Sequence, residues 1–299
     1  MFIDLTAAYD TVWHRGLTCK LLRLLPDRYM IIEMVSNRSF TLTTGNGQRS
    51  RSRRLKNDVP QGSVLAPLLF NIYTSDLPAI ISRKYACADD LAIMHANGDW
   101  LAVEGALSKD MATLSEYLQN WRLKLSTTKT VLATFHLNNK EAKRELKVNF
   151  NNETLPFCSE PKYLGVTLDR SITYRRHLES LRKKLTSRVA LLRRLAGSGW
   201  GAGATTLSTA TLSLVHSTAE HCAPVWCRSD HTRLIDTTIN DALRIVTGCL
   251  RPTPADNLPI PAGIQHAELR RRGATISRTP CHGAWTPAPL SAHPSIGCR

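Results

Sequence analysis

Two adjacent aspartates, Asp89 and Asp90, stand between two short apolar runs, Tyr85-Ala86-Cys87 and Leu91-Ala92-Ile93-Met94. Runs this short on either side of a polar break predict a β-hairpin with both carboxylates at its tip. Neighbouring carboxylates repel, and folding alone gives no reason to pair them in a tight turn. A solvated Asp-Asp turn is one reading, since Asp is at home in turns. The other is a divalent cation, because Mg²⁺ takes oxygen ligands of this kind. A third carboxylate, Asp4, closes the apolar run Met1 to Leu5, which reads as a strand. Carboxylates gathered from two such elements suit a metal pair ~3.5–4 Å apart, the arrangement that steadies both oxygens of an in-line displacement.

Around this hairpin the chain alternates strands and helices. A helix through Leu17, Leu21, Leu24 and Leu25 is expected to end near Pro26, and a second covers Tyr29 to Val35. Phe40 to Thr44 and Arg49 to Leu55 read as a hairpin around Gly45-Asn46-Gly47. A helix is expected from Gly62 to Tyr73. Val103, Leu107, Met111, Leu114, Leu118 and Trp121 recur at helical spacing and predict a buried stripe. Thr130 to Phe135 and Lys162 to Leu168 read as strands. The pattern predicts an α+β domain over 1–172. From Thr173 the character changes: Leu178, Leu181, Leu185, Val189 and Leu192 make one helical face, and basic residues crowd the rest. Further helices are expected at Leu207 to His216 and Arg233 to Val246, giving an all-helical basic region over 173–278. Residues 279–299 hold four prolines and no helical period, and are expected to be disordered. Around His282 a one-base shift of frame would encode a better helix, so a frameshift after about Arg278 is also expected.

Charge narrows the partner. With 39 Lys and Arg against 24 Asp and Glu, the net charge is +15, which points to a polyanion, nucleic acid first. A hydrophobic fraction of 42% argues against disorder throughout. No apolar run reaches the ~18–20 residues that span a bilayer, and no signal peptide is evident, so an intracellular chain without membrane association is expected. The eight cysteines form no CxxC pair and read as reduced thiols. His216, His221, Cys222, Cys227 and His231 are zinc-ligand types, but Cys222 and Cys227 lack a matching second pair and flank Ala223-Pro224-Val225-Trp226, which reads as packing.

Five segments, in order, resemble the motifs of reverse transcriptases. Phe2-Ile3-Asp4-Leu5-Thr6-Ala7-Ala8-Tyr9-Asp10 resembles motif A, and Val59-Pro60-Gln61-Gly62-Ser63 resembles motif B in its non-LTR retrotransposon form. Ala88-Asp89-Asp90-Leu91 matches the end of motif C. Leu123-Lys124-Leu125-Ser126-Thr127-Thr128-Lys129 is similar to motif D, and Lys162-Tyr163-Leu164-Gly165-Val166 to motif E. Residues 1 to about 275 resemble the palm and thumb of jockey-like elements.

The resemblance implies an RNA-directed DNA polymerase with a palm-type α+β fold, an antiparallel sheet with helices, followed by an all-helical thumb. It implies two Mg²⁺ ions on Asp4, Asp89 and Asp90, with an RNA template, a DNA primer and deoxynucleoside triphosphates as partners. Tyr9 falls at the steric gate that would clash with a ribose 2′-OH. Pro60, Gln61 and Gly62 would begin a helix beside the nascent base pair. Lys129 would protonate the leaving pyrophosphate, and Leu164 and Gly165 would shape the primer grip. Arg175, Arg176, Arg182, Lys183 and Lys184, with Lys147, are the implied phosphate contacts. Three departures stand out: Cys87 where motif C has Tyr or Phe, Asp58 where Gly is common before motif B, and Ser126 for a frequent Asn. The chain also begins at motif A, so the fingers of the family are expected to be missing and processive synthesis by this chain alone is not expected. An inactive retroelement relic that keeps only non-specific nucleic-acid binding is the alternative. A different palm polymerase, of the intron-maturase or telomerase kind, fits the motif B wording and Ala219 to Trp226 less well.

Overall fold

The computed structural model describes residues 1–24, 29–36, 38–138, 140–150, 153–197 and 201–276. The expected helix end at Pro26 and the tail over 279–299, with its shifted frame, lie outside the described residues. The chain divides into two compact units, Met1–Ile172 and a second from Thr173 onward.

The first unit is built on a three-stranded antiparallel sheet in the order β1-β5-β4. Strand β1 is Phe2–Ile3. A short helix α1 (Ala8–Thr11) follows, and the expected helix through Leu17, Leu21 and Leu24 is α2 (His14–Leu24). Between the two, the Val12 carbonyl accepts from the Asp58 amide at 3.0 Å. Helix α3 is Tyr29–Val35, and β2 (Ser39–Phe40) pairs with β3 (Arg53–Arg54) in the hairpin expected around Gly45 to Gly47. Helix α4 is Ala66–Tyr73, four residues later than expected. Pro60 to Gly62 form a turn rather than a helix start, because Gly62 has φ +91°, outside the right-handed region. Strands β4 (Arg83–Cys87) and β5 (Asp90–Met94) make the central hairpin, and α5 (Trp100–Asn120) follows. Its N-cap Asp99 accepts from the Leu101 amide, and Val103, Leu107, Met111, Leu114 and Leu118 are buried as the stripe predicts. Thr130 to Phe135 is not a strand. It makes single bridges from Val131 to Phe2 and from Leu132 to Phe157. Two small hairpins close the unit, β6 (Asn149–Phe150) with β7 (Glu153–Thr154), and β8 (Lys162–Tyr163) with β9 (Val166–Thr167).

The core of this unit joins Ile3 and Ile93 of the sheet to Leu17 and Leu21 of α2, Leu69 and Phe70 of α4, and the α5 stripe. Strand β5, central in the sheet, is buried through Leu91, Ala92 and Ile93, and Asp90 stands at its exposed start.

The second unit is helical among its described residues: α6 (Arg175–Leu195), α7 (Ala204–Ala210), a π-helical turn over Thr211–His216, α8 (Ser217–Ala219), α9 (Ala223–Trp226), α10 (Arg233–Thr247), α11 (Pro259–Ala262) and α12 (Ala267–Ile276). Leu178, Leu181, Leu185, Val189 and Leu192 pack on Ile235, Ile239 and Ala242 of α10. Trp226 is fully buried in this cluster, and its indole donates to the His221 carbonyl at 3.1 Å. Helix α10 ends where Gly248 takes φ +69°, the left-handed C-terminal position glycine favours. Glu220 binds the Arg270 guanidinium through both oxygens and accepts from His216 Nδ1 at 3.1 Å, while Arg271 holds Asp236 at 2.6 Å. No described helix is long and apolar enough to cross a membrane.

Candidate active site

The hairpin register puts Cys87 opposite Asp90, so Ala88 and Asp89 form a two-residue turn. Ala88 has φ +54°, as a tight hairpin of this length requires. Strand β1 lies beside β5, with Ile3 opposite Leu91, and this brings Asp4 to the same end of the sheet as the Asp89-Asp90 pair. Asp4 is pinned on both sides of its peptide: its amide donates to Thr130 Oγ1 at 3.2 Å and its carbonyl accepts from the Ser126 amide at 2.9 Å. The motif D segment therefore runs along motif A, with Lys129 exposed in the turn between those two contacts.

The electrostatics show the carboxylates acting on one another. Partial burial, then the charges of Asp89 and Asp4, hold the Asp90 carboxyl above its usual range. Burial followed by Asp89 and Cys87 raises the Tyr9 phenol, and burial followed by Asp90 and Cys87 raises that of Tyr163. Asp4, Asp89, Asp90, Tyr9 and Tyr163 thus share one neighbourhood. None of the three carboxylates has an ion-pair partner among the described residues, although the chain is strongly basic overall.

Two aromatic residues border this acidic centre. Tyr9 lies on Phe70 of α4, ring centroids 5.0 Å apart and 35° between planes, and its carbonyl accepts from the Val59 amide at 3.1 Å. That bond ties motif A to the start of motif B and sets Pro60, Gln61 and Gly62 just beyond. Gln61 and Gly62 are exposed. On the other side, the Tyr163 hydroxyl donates to the Tyr85 carbonyl at 3.2 Å and its ring meets Phe2 at 5.5 Å. Leu164 (φ +47°) and Gly165 (φ +82°) form the exposed turn of that β8–β9 hairpin. Cys87 is exposed at the end of β4.

Arg175, Arg176, Arg182, Lys183 and Lys184 belong to the second unit, all exposed on α6. Arg175 and Arg176 are bonded to Glu179, which with Arg182, Lys183, Thr186 and Leu234 lines an open hollow. His221 and Cys222 approach at 3.5 Å. Among the described residues no group of three or more His, Cys, Asp or Glu is gathered closely enough to hold a metal, in this segment or around Asp89.

Three supporting residues were not foreseen from sequence. Arg38 Nη1 binds Asp58 Oδ2 at 3.1 Å, and His14 Nε2 meets the Asp58 carbonyl at 2.7 Å. Lys20, only 5% exposed, sits 3.5 Å from the Trp121 ring centroid and donates to the Tyr73 carbonyl and the Asp76 carboxylate. Burial pushes its ammonium down to about 8, against the opposing pull of Asp76. Nothing in a helix sequence distinguishes such a lysine from a solvated one. Asp58 does leave a signal, as a side chain at a position where glycine is common.

An antiparallel sheet with helices packed on one face, carrying acidic residues at one end of its central strands, defines a palm-type α+β polymerase fold. Residues 1–168 match the family described as reverse transcriptase (RNA-dependent DNA polymerase). The chain belongs to that family. It is 30% identical over 271 residues to a probable RNA-directed DNA polymerase from transposon BS of Drosophila melanogaster, covering 83% of this chain and 29% of that protein. It is 33% identical over 202 residues to the RNA-directed DNA polymerase from mobile element jockey of Drosophila funebris, covering 63% and 21%. A probable RNA-directed DNA polymerase from transposon X-element of Drosophila melanogaster is 26% identical over 260 residues, covering 83% and 28%. The similarity to jockey-like, non-LTR retrotransposon polymerases therefore extends over most of the chain, which spans less than a third of the length of these relatives.

Proposed function

We propose that this chain carries the nucleotidyl-transfer centre of a non-LTR retrotransposon reverse transcriptase, extending a DNA primer on an RNA template. The observation that supports this best is the convergence of Asp4, Asp89 and Asp90 at one end of the sheet, with no basic partner among the described residues. The reaction forms a bond from the primer 3′-oxygen to the α-phosphorus of a deoxynucleoside triphosphate and releases pyrophosphate.

The family is divalent-metal dependent, and this donor set fits such an ion: three hard oxygen ligands whose mutual repulsion is uncompensated. Asp4, Asp89 and Asp90 would be the residues to hold Mg²⁺. The ion would supply positive charge to the attacking and leaving oxygens. The protein's own groups do the rest. Tyr9, backed by Phe70, presents a bulky ring where a ribose 2′-OH would lie, and excluding a hydroxyl by shape needs no charge. Gly62 lets backbone approach the nascent pair, Pro60 shapes the turn, and Gln61 offers hydrogen bonds beside it. Lys129 donates the proton to pyrophosphate. Leu164 and Gly165 present backbone to the primer end, and Arg175, Arg176, Arg182, Lys183 and Lys184 meet phosphates. In this reading 1–172 is palm and 173–278 thumb.

Primer extension on an RNA template with Mg²⁺ tests the proposal. The expected result is short, non-processive, template-directed addition of deoxynucleotides that Asp89→Asn abolishes. Addition that persists in Asp89→Asn contradicts it. No addition at all, with salt-sensitive binding retained, would favour the relic.

A further inference from the structure

The backbone at Asp58 has φ +106°, a region that belongs to glycine and that an aspartate enters only at a conformational cost supplied by its surroundings. The surroundings converge on it. Arg38 Nη1 holds the carboxylate at 3.1 Å, His14 Nε2 meets the carbonyl at 2.7 Å, and the Asp58 amide donates to the Val12 carbonyl at 3.0 Å. Arg38 is itself fixed by the β2–β3 hairpin, where its carbonyl accepts from Leu55 at 2.8 Å. One residue on, the amide of the fully buried Val59 donates to the Tyr9 carbonyl at 3.1 Å. The orientation of that amide depends on the strained torsions at Asp58. The Tyr9 backbone is thus seated by Val59 and its ring by Phe70.

We infer that Arg38 is a positioning residue for nucleotide selection, clamping Asp58 in its left-handed conformation so that Val59 holds Tyr9 in place. The inference rests on the reading of Tyr9 as the steric gate. Both charged side chains are about a quarter exposed, at 28% and 22%, so the pair adds little as a bare surface ion pair. Its consequence is geometric. Once released, Asp58 relaxes toward negative φ, the following peptide rotates, the bond to the Tyr9 carbonyl is lost, and the ring can move off Phe70. A ribose 2′-OH then has room.

Glycine at position 58 takes the same torsions without strain, so it removes the need for the clamp. This makes Arg38→Met, Asp58→Gly and the double variant a cycle with two readouts. The first is amide hydrogen exchange at Val59, which needs no catalysis. The second is the preference for deoxynucleoside over ribonucleoside triphosphates in single-nucleotide addition. Arg38→Met is expected to raise Val59 exchange by about tenfold and to lower the preference by about tenfold, the order of the backbone strain the clamp offsets. Asp58→Gly is expected to retain wild-type values in both, and adding Arg38→Met to it to change neither. Unaltered Val59 exchange in Arg38→Met overturns the clamp. Equal effects of Arg38→Met with Asp58 and with Gly at position 58 overturn it as well. Failure of the wild-type chain to add any nucleotide would instead overturn the polymerase reading and the selection role with it, while exchange at Val59 still decides the clamp.

Discussion

Tyr9 illustrates how residue identity becomes function. Its ring is held by Phe70 and its carbonyl by Val59, and burial, then the neighbouring Asp89, raises its phenol. If shape alone excludes the ribose hydroxyl, Tyr9→Ala should raise ribonucleotide incorporation relative to deoxynucleotide by at least about tenfold, with Tyr9→Phe close to wild type. Competition between the two triphosphates in single-nucleotide addition measures this, and a loss of selectivity in Tyr9→Phe would assign the role to the hydroxyl instead. Asp4, Asp89 and Asp90 were legible as carboxylates at a strand end and in a tight turn, and Tyr9 only through the resemblance to motif A. Lys20 and Arg38 were not. Their importance comes from partners far along the chain, Asp76 and Trp121 for one and a strained Asp58 for the other, and no local pattern encodes such pairings.

At the scale of elements, alternation and helical period predicted what local physics controls. The β4–β5 hairpin, the α5 stripe and the α6 face all follow from spacing. The differences arise where the backbone departs from local propensity: Gly62 turns the chain before α4, and the segment after Thr130 satisfies its backbone with single bridges. In the helical unit, the Glu220 pairing with Arg270 and His216 links α12 to the chain just after α8. Burial would raise this carboxyl, but the hydrogen bonds and charges of His216 and Arg270 outweigh it and hold it at about 2, against the usual 4.5. A depressed carboxyl stabilises the fold above its unfolded pKa and loses that contribution as the group protonates. Unfolding by urea should therefore show stability falling between pH 4.5 and about 2, and Glu220→Gln should flatten that fall. An unchanged slope in the variant would show that other carboxylates carry it.

At the scale of the molecule, the acidic cluster at one end of the sheet in the first unit contrasts with an exposed basic face on α6 in the second. The +15 charge announced a polyanion without saying where it binds. Arg182 and Lys183 share a hollow on α6, whereas Arg175 and Arg176 are already engaged with Glu179. If the two hollow residues meet phosphates, Arg182→Ala with Lys183→Ala should reduce the slope of log K against log salt by roughly 1–2. A parallel loss of affinity at every salt concentration would indicate a structural effect.

Whether Asp4, Asp89 and Asp90 act as one centre is decided by single-turnover addition of one deoxynucleotide to an annealed DNA primer on RNA. Each of Asp4→Asn, Asp89→Asn and Asp90→Asn should slow addition by about a thousandfold or more, and a double variant should be little worse than either single one, as expected of groups that act as a unit. Primer–template affinity, measured alongside, should stay within a few-fold of wild type. If any one of the three substitutions leaves the rate intact, or if the losses multiply independently, the carboxylates do not form a single catalytic centre.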